Sequence, residues 1–145
     1  FINNNNYSFN YFINSSIITS EYTNSDIPGV MGNKVEFVPN LNIKSGFKFG
    51  HKNLMLNLQY TYLSKQFTDA SNAKKSNLSG LIGEIPFYDI LDFSASYFFK
   101  TFKVETGMNN VLNKNYFTRR ATGYPGPGII PSEPRSIYLT IQFKI

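Results

Sequence analysis

Six segments of the chain alternate apolar and polar residues with a period of two, a pattern that a strand sorts into two faces and a helix would scatter around its axis. They run Tyr7–Ile18, Val35–Phe49, Leu54–Tyr62, Leu91–Phe99, Phe102–Asn109 and Ile137–Ile145. In the second, Val35, Phe37, Leu41, Ile43, Phe47 and Phe49 oppose Lys34, Glu36, Asn40, Asn42, Lys44 and Lys48. In the fourth, Leu91, Phe93, Ala95, Tyr97 and Phe99 oppose Asp92, Ser94 and Ser96. The pattern predicts an all-β fold whose strands each carry one apolar and one polar face, and it leaves almost no place for a helix.

Connection lengths narrow the architecture. Long polar links at about Thr19–Gly32, Ser64–Asp89 and Thr118–Arg135 alternate with tight turns at Gly50–Asn53 and Lys100–Thr101. In an antiparallel up-and-down sheet this order puts every long loop at one edge and every tight turn at the other, as in outer-membrane barrels with short periplasmic turns and long external loops.

A soluble β-sandwich alternates in the same way, with its apolar faces turned inward. Three features favour a transmembrane β-barrel. The apolar stretches Leu41–Phe49, Leu54–Tyr62, Leu91–Phe99 and Ile137–Ile145 match the roughly 9–11 residues of a tilted membrane strand. Aromatic residues make up 17% of the chain and gather near strand ends on the apolar face: Tyr7, Phe9, Phe47, Phe49, Tyr97, Phe99, Phe102 and Phe143 toward the tight turns, Tyr60 and Tyr62 toward the loops. The opposite face carries Lys44, Lys48, Asp92, Lys103, Glu105 and Lys144 among Asn, Gln, Ser and Thr, as a wet lumen would. Pro39, which cannot donate to a ladder, falls just before Leu41, where a strand would rise clear of the bilayer. Six strands fall short of the about eight that close such a barrel, so the chain is expected to be a fragment, aggregating in water through its open edges.

Composition removes several functions. Cysteine is absent, and with it disulfides, thiolate metal sites and cysteine nucleophiles. The net charge of +5 suits an anionic partner. Nucleic acid fits poorly, because rings and lysines occupy opposite faces, so a base stacked on one cannot have its phosphate neutralised by the other. No leader pattern begins at Phe1, so any signal peptide would lie upstream.

The stretches "GNKVEFVPNLNIKSGFKF", "YTYLSKQFTDASNA", "GEIPFYDILDFSASYFF", "GMNNVLNKNYF" and "TRRATGYPGPGIIP", the last followed by a closing strand, resemble the C-terminal part of TonB-dependent outer-membrane receptors, most of all the ferric dicitrate type. The resemblance runs from about Asn33 to Ile145, with Tyr7–Ile18 fitting as one more strand. It implies a barrel of roughly 22 strands filled by a plug domain. Residues 1–145 would supply its last six strands and three external loops, the plug, TonB box and earlier strands lying elsewhere. It implies transport across the cell outer membrane of a ferric chelate, ferric citrate or a similar siderophore, with no enzymatic step and no cofactor. The implied partners are the chelate, the TonB complex, the plug, and outer-membrane lipid and lipopolysaccharide. The ending "SIYLTIQFKI" resembles the strand signal of barrel assembly, except that Ile145 closes it and Phe143 stands third from the end. Alternatives from other classes are a small outer-membrane barrel with a structural or adhesive role and a soluble β-sandwich binding module.

The stretch "TRRATGYPGPGIIPSEPR" holds every arginine of the chain and four prolines, Pro125, Pro127, Pro131 and Pro134. Ferric citrate is anionic, and guanidinium forks match carboxylates without losing charge near neutral pH. Prolines lower the ordering cost of presenting them. The candidate ligand contacts are therefore Arg119, Arg120, Arg135 and Tyr124; the alternative for the arginines is to bind lipopolysaccharide phosphates or brace neighbouring loops. Tyr116 could line the mouth with Tyr124, and an interfacial anchor is the favoured reading for it. His51 reads as a solvated turn residue with no second histidine to share a metal. Asp89 and Asp92, three apart on a strand, face opposite sides. Lys74 and Lys75 read as a solvated patch, and Gly46 and Gly107 as places where a plug could approach or a strand could bend.

Overall fold

The computed structural model describes residues 2–4, 6–123 and 126–143. Its strands are β1 (Ile2–Asn4), β2 (Tyr7–Ile17), β3 (Leu41–His51), β4 (Leu54–Leu63), β5 (Gln66–Phe67), β6 (Glu84–Ile85), β7 (Tyr88–Phe98), β8 (Phe102–Asn109), β9 (Phe117–Ala121), β10 (Gly128–Pro131) and β11 (Ser136–Phe143). No helix occurs among the described residues. Seven strands form one antiparallel sheet in the order β1-β2-β3-β4-β7-β8-β11, and β5–β6 and β9–β10 are separate small hairpins. The sheet is open, with β1 and β11 at its edges.

The connections alternate as the sequence predicts. Lys52 and Asn53 turn β3 into β4, with Lys52 at φ 50°, and residues 99–101 turn β7 into β8. The opposite edge carries loop 1 (residues 18–40), loop 2 (64–87, containing β5–β6) and loop 3 (110–135, containing β9–β10).

Register carries one face across the whole sheet. Tyr11 pairs with Phe47, Phe47 with Leu58 and Leu58 with Phe93, and Phe93 then pairs with Met108 and Met108 with Ile137. A row on the other side runs Lys48, Asn57, Ser94, Gly107, Tyr138. No second layer of polypeptide covers the apolar row among the described residues: Ile137 is 71% exposed, Leu139 67% and Phe143 70%. The buried apolar residues are Val30, Phe67, Ile85 and Ile90, which lie in loops 1 and 2 and near the loop end of β7. A sandwich would have buried the row instead.

Aromatic contacts knit the tight-turn edge of this face. Tyr7 lies against Phe49 at 6.3 Å and Phe9 against Phe47 at 5.7 Å. Phe99 stacks on Phe102 at 4.2 Å, and Phe102 meets Phe143 at 6.1 Å. Toward the loops Tyr62 packs on Phe87. On the polar face the space above two glycines is occupied from across the ladder. A Cβ at Gly46 would come within 2.7 Å of the Phe12 ring, and one at Gly107 within 2.5 Å of the Tyr138 ring. Each aromatic fills the gap its partner leaves, which is a packing role for glycines expected to admit a plug or bend a strand.

Four expectations need correction. The run from Val35 does not enter a strand until Leu41, because Pro39 has no N–H to give and Phe37 sits at φ 57°. The sheet has a seventh, three-residue strand, β1, in a stretch of asparagines without alternation. The link called loop 2 and the proline-rich stretch each contain a hairpin. His51 ends β3 on the apolar face, half-buried, its ring stacked on Tyr7 at 4.3 Å and its Nδ1 3.1 Å from the Asn6 carbonyl. It joins the aromatic edge because it occupies the next odd position after Phe49.

Candidate functional site

The three loops interlock above the sheet. Loops 1 and 2 exchange backbone-mimicking bonds: the Lys34 N–H donates to Asn72 Oδ1 at 2.7 Å, and Asn72 Nδ2 donates back to the Lys34 carbonyl at 2.8 Å. Asn33 Nδ2 donates to the Ala70 carbonyl, and the Phe37 N–H to that of Phe67. Asn72 stands at φ 53°, a conformation asparagine tolerates because its short amide can bond locally. Within loop 1, the Tyr22 hydroxyl donates to Glu36 Oε2 at 2.6 Å, which holds the Tyr22 pKa above its ordinary value, with desolvation and the Glu36 charge adding to the shift.

Loop 3 is pinned at its base by Asn110, 2% exposed and at φ 50°. Its N–H donates to Asp92 Oδ1 at 2.9 Å, its Oδ1 accepts from the Lys114 N–H, and its Nδ2 donates to the carbonyls of Lys114 at 2.9 Å and Glu133 at 3.4 Å. Asn113 Oδ1 accepts from the Arg135 N–H at 3.2 Å, so both ends of the loop are tied. Asp92 thus supports a turn, while Asp89, on the other face, pairs with Lys114 at 3.3 Å. The sequence signal for this hub is the asparagine run in "NNVLNKN", whose residues 110 and 113 both take positive φ.

The two neighbouring arginines part company at β9. Arg119 pairs with Ile130 and Phe117 with Pro131, leaving Thr118 as an extra residue, a β-bulge. The bulge brings Phe117 and Arg120 together, with the Arg120 guanidinium carbon 5.2 Å from the Phe117 ring centre. Arg120 Nη1 donates to Ser76 Oγ at 3.0 Å and to the Gly80 carbonyl at 2.8 Å, and Nη2 donates to the Glu84 carbonyl at 3.2 Å. Arg119, the next residue of the strand, points the other way and is exposed. Arg135 is exposed beside β11. Tyr124, and with it Pro125, lies outside the described residues. Tyr116 packs on Tyr88 at 4.8 Å with the rings tilted. Tyr88 pairs with Leu63, on the same side of the sheet as Asn57 and Lys48. That is the lumen side and not the apolar face on which an interfacial anchor was expected.

Charge is uneven over this end. Lys65 pairs with Glu84 at 3.0 Å and Lys114 with Asp89. Lys74, Lys75, Arg119 and Arg135 are exposed and make no ion pair among the described residues. The polar face below continues with Lys44 in a shallow recess shared with Asn14, Ser15, Ser16 and Asn42. Among the described residues no three His, Asp or Glu side chains gather as a metal site.

No family model matches the chain, and no curated protein matches it. Solved structures do. The ferric citrate transporter FecA, in its unliganded form, superimposes with a TM-score of 0.85 at 23% identity, over 93% of this chain and 21% of FecA. The ferric yersiniabactin uptake receptor FyuA from Yersinia pestis gives 0.75 at 18% identity, over 97% and 21%. The siderophore receptor PiuA from Acinetobacter baumannii gives 0.74 at 22% identity, over 97% and 20%. The chain therefore spans about a fifth of the length of the structures it matches. Its open up-and-down sheet, with long loops at one edge only, has the fold of part of the β-barrel of TonB-dependent outer-membrane receptors.

Proposed function

We propose that the chain is the C-terminal part of the barrel of an outer-membrane receptor that takes up an anionic ferric chelate, ferric citrate or a similar siderophore complex, with energy from the TonB system. The observation that carries this reading is the division of the molecule along its strands. Among the described residues, one face of the sheet is apolar and bare of protein, and the edge above it presents Lys74, Lys75, Arg119 and Arg135 without ion pairs. Lipid suits the first and an anion the second. The eleven residues of β3 extend ~33 Å, and at a tilt of about 40° cover ~25 Å along the membrane normal, the height of the apolar band of such barrels. The polar face would then look into a lumen occupied by the plug. The solved structures it resembles are named as a transporter and receptors, and the reading is accordingly transport with no chemistry done on the cargo.

Arg119 and Arg135 are the first contacts for the carboxylates of the chelate, since their guanidinium forks are open to solvent. Tyr124 joins them on its sequence position in the same loop. Arg120 ranks behind them as a direct contact because its Nη donors are already taken up by loop 2. The test is equilibrium binding of ferric citrate to the full-length protein. Arg119→Ala and Arg135→Ala should each weaken it by about tenfold, the loss of a charge-assisted hydrogen bond of ~1.5 kcal/mol, and added salt should weaken the parent more than the double variant. An unchanged affinity in the double variant removes both residues from the site.

A further inference from the structure

Loops 1 and 2 are joined by several backbone and asparagine bonds. Loops 2 and 3 are joined otherwise: among the described residues, every hydrogen bond between them is donated by one side chain, Arg120. We infer that Arg120 is a positioning residue, a clasp that makes loops 2 and 3 one body and so holds Lys74 and Lys75 at a fixed place relative to Arg119.

The surroundings of the guanidinium are built for that contact. Phe117 lies under it, brought there by the bulge at Thr118. Its acceptors are spread from Ser76 to Glu84 along loop 2, so a single planar group spans both sides of the turn that carries Ser79 and Gly80. Two glycines let the loops close on each other. Gly80 is at φ +72°, and a Cβ there would stand 3.1 Å from the Gly128 Cα of loop 3. Gly83 is at φ +144°, and a Cβ there would stand 3.1 Å from the Ser76 Cα and 3.3 Å from Arg120 Nη2. Thr68 locks the same glycine from within loop 2, its hydroxyl donating to the Gly83 carbonyl at 3.0 Å and accepting from the Gly83 N–H at 2.9 Å. Chain neighbours lie about 3.8 Å apart at Cα. A bond from Arg120 to Ser76 therefore fixes Arg119 and Lys75, one residue from each end of it, in the same vicinity. Lysine cannot replace this clasp, since a single ammonium lacks the planar fork that reaches acceptors on two sides.

The consequence for uptake rests on the anion-binding reading above, while the clasp itself does not. Spin labels at Ser79→Cys in loop 2 and Thr122→Cys in loop 3 of the full-length protein, read by pulsed dipolar spectroscopy, test it. These 145 residues contain no cysteine to compete. The parent should give one narrow distance distribution. Arg120→Ala should broaden it at least twofold and Arg120→Lys nearly as much. Gly83→Ala, whose Cβ would stand 3.3 Å from Arg120 Nη2, should do the same. A label pair across β3 and β4 should stay narrow in all of them, showing that the barrel is folded. A distribution left narrow by Arg120→Ala overturns the clasp, whatever Gly83→Ala does. So does a loss of ferric-citrate affinity in Arg120→Ala with the loop distances unmoved, which would make Arg120 a direct contact. Loosened loops with unchanged affinity leave the clasp standing and count against the anion site.

Discussion

The sheet and the loops of this chain differ in where apolar side chains find cover: the loops bury a small cluster while exposing Ile27, Met31, Leu78 and Phe87, and the apolar face of the sheet has no such cluster among the described residues. In the sheet Ile137, Leu139, Ile141 and Phe143 are more than half exposed, along a face that register keeps continuous from β2 to β11. In the loops Val30, Phe67 and Ile85 are buried, and Ile85 has no exposed surface at all. A protein surrounded by water buries its largest apolar surface, since each Å² removed from water is worth about 25 cal/mol. Here the apolar residues that are buried, Val30, Phe67, Ile85 and Ile90, all lie at the loop end. The sheet satisfies its backbone through the ladder and leaves its apolar side chains for a solvent that is not water. The molecule is built for two solvents, and the boundary between them falls where β4 gives way to loop 2.

The largest effect expected from this division is inside the loops. Ile85 pairs across β5–β6 with Gln66, which is buried too. Ile85→Ala should cost ~2–5 kcal/mol, the range for truncating a buried aliphatic side chain. The loss should appear as faster amide exchange over residues 66–85, with the strands unaffected. If exchange quickens equally in β4 and β7, loop and sheet are one cooperative unit and the contrast between them is weaker than the burial pattern states.

Leu58 and Asn57 put the sheet itself to the test, because they are neighbours on β4 with opposite faces. Leu58→Arg places a charge near the middle of the apolar band and should destabilise the barrel by ~2–4 kcal/mol in phospholipid vesicles, while Asn57→Arg on the polar face should cost little. Denaturant unfolding of the full-length barrel in vesicles measures both. Equal costs at the two positions would erase the distinction between the faces.

These two regions were also unequally legible. The faces of the six long strands followed from alternation alone, because a period of two leaves one set of partners once a neighbouring strand is antiparallel. The tight turns followed from Gly50–Asn53 and Lys100–Thr101, whereas the start of β3 did not, since alternation continues back to Val35 and only Pro39 and the positive φ of Phe37 stop the strand at Leu41. The hairpins in loops 2 and 3 did not, since β5 and β6 have two residues each and show no period. The burial of Phe67 and Ile85 arises between loops and not along the chain. The candidate site was legible as a class of residue and not as roles. Arg119 and Arg120 are identical and adjacent in sequence, and strand alternation sends them to opposite sides, but that Arg120 is the one that meets Ser76 and Glu84 depends on how β9 sits against loop 2. The glycines Gly80 and Gly83, eight and five residues before β7 begins at Tyr88, mark that meeting point only after the loops are placed.

The smallest effect lies in loop 1, which has one isolated bridge, Glu21 to Lys34, where the sheet has ladders. The bond from the Tyr22 hydroxyl to Glu36 Oε2 adds to it, and that bond needs the phenol proton. The Tyr22 pKa is raised above 10.0 in the folded loop, chiefly by this hydrogen bond. A group whose folded pKa is raised contributes its full stabilisation below the unfolded value and loses it as pH climbs through the folded value. Loop 1 should therefore keep this contact up to pH 10.0 and release it above. The difference in tyrosinate absorbance between the parent and Tyr22→Phe isolates this residue during an alkaline titration. Its midpoint should lie above 10.0, and Glu36→Gln should bring it down, because the amide removes the charge that opposes a phenolate. A midpoint at or below the ordinary value in the parent would mean that water, and not Glu36, accepts the Tyr22 hydrogen bond in solution, leaving Tyr22 held only by its backbone bonds with Gly32 and Asn33.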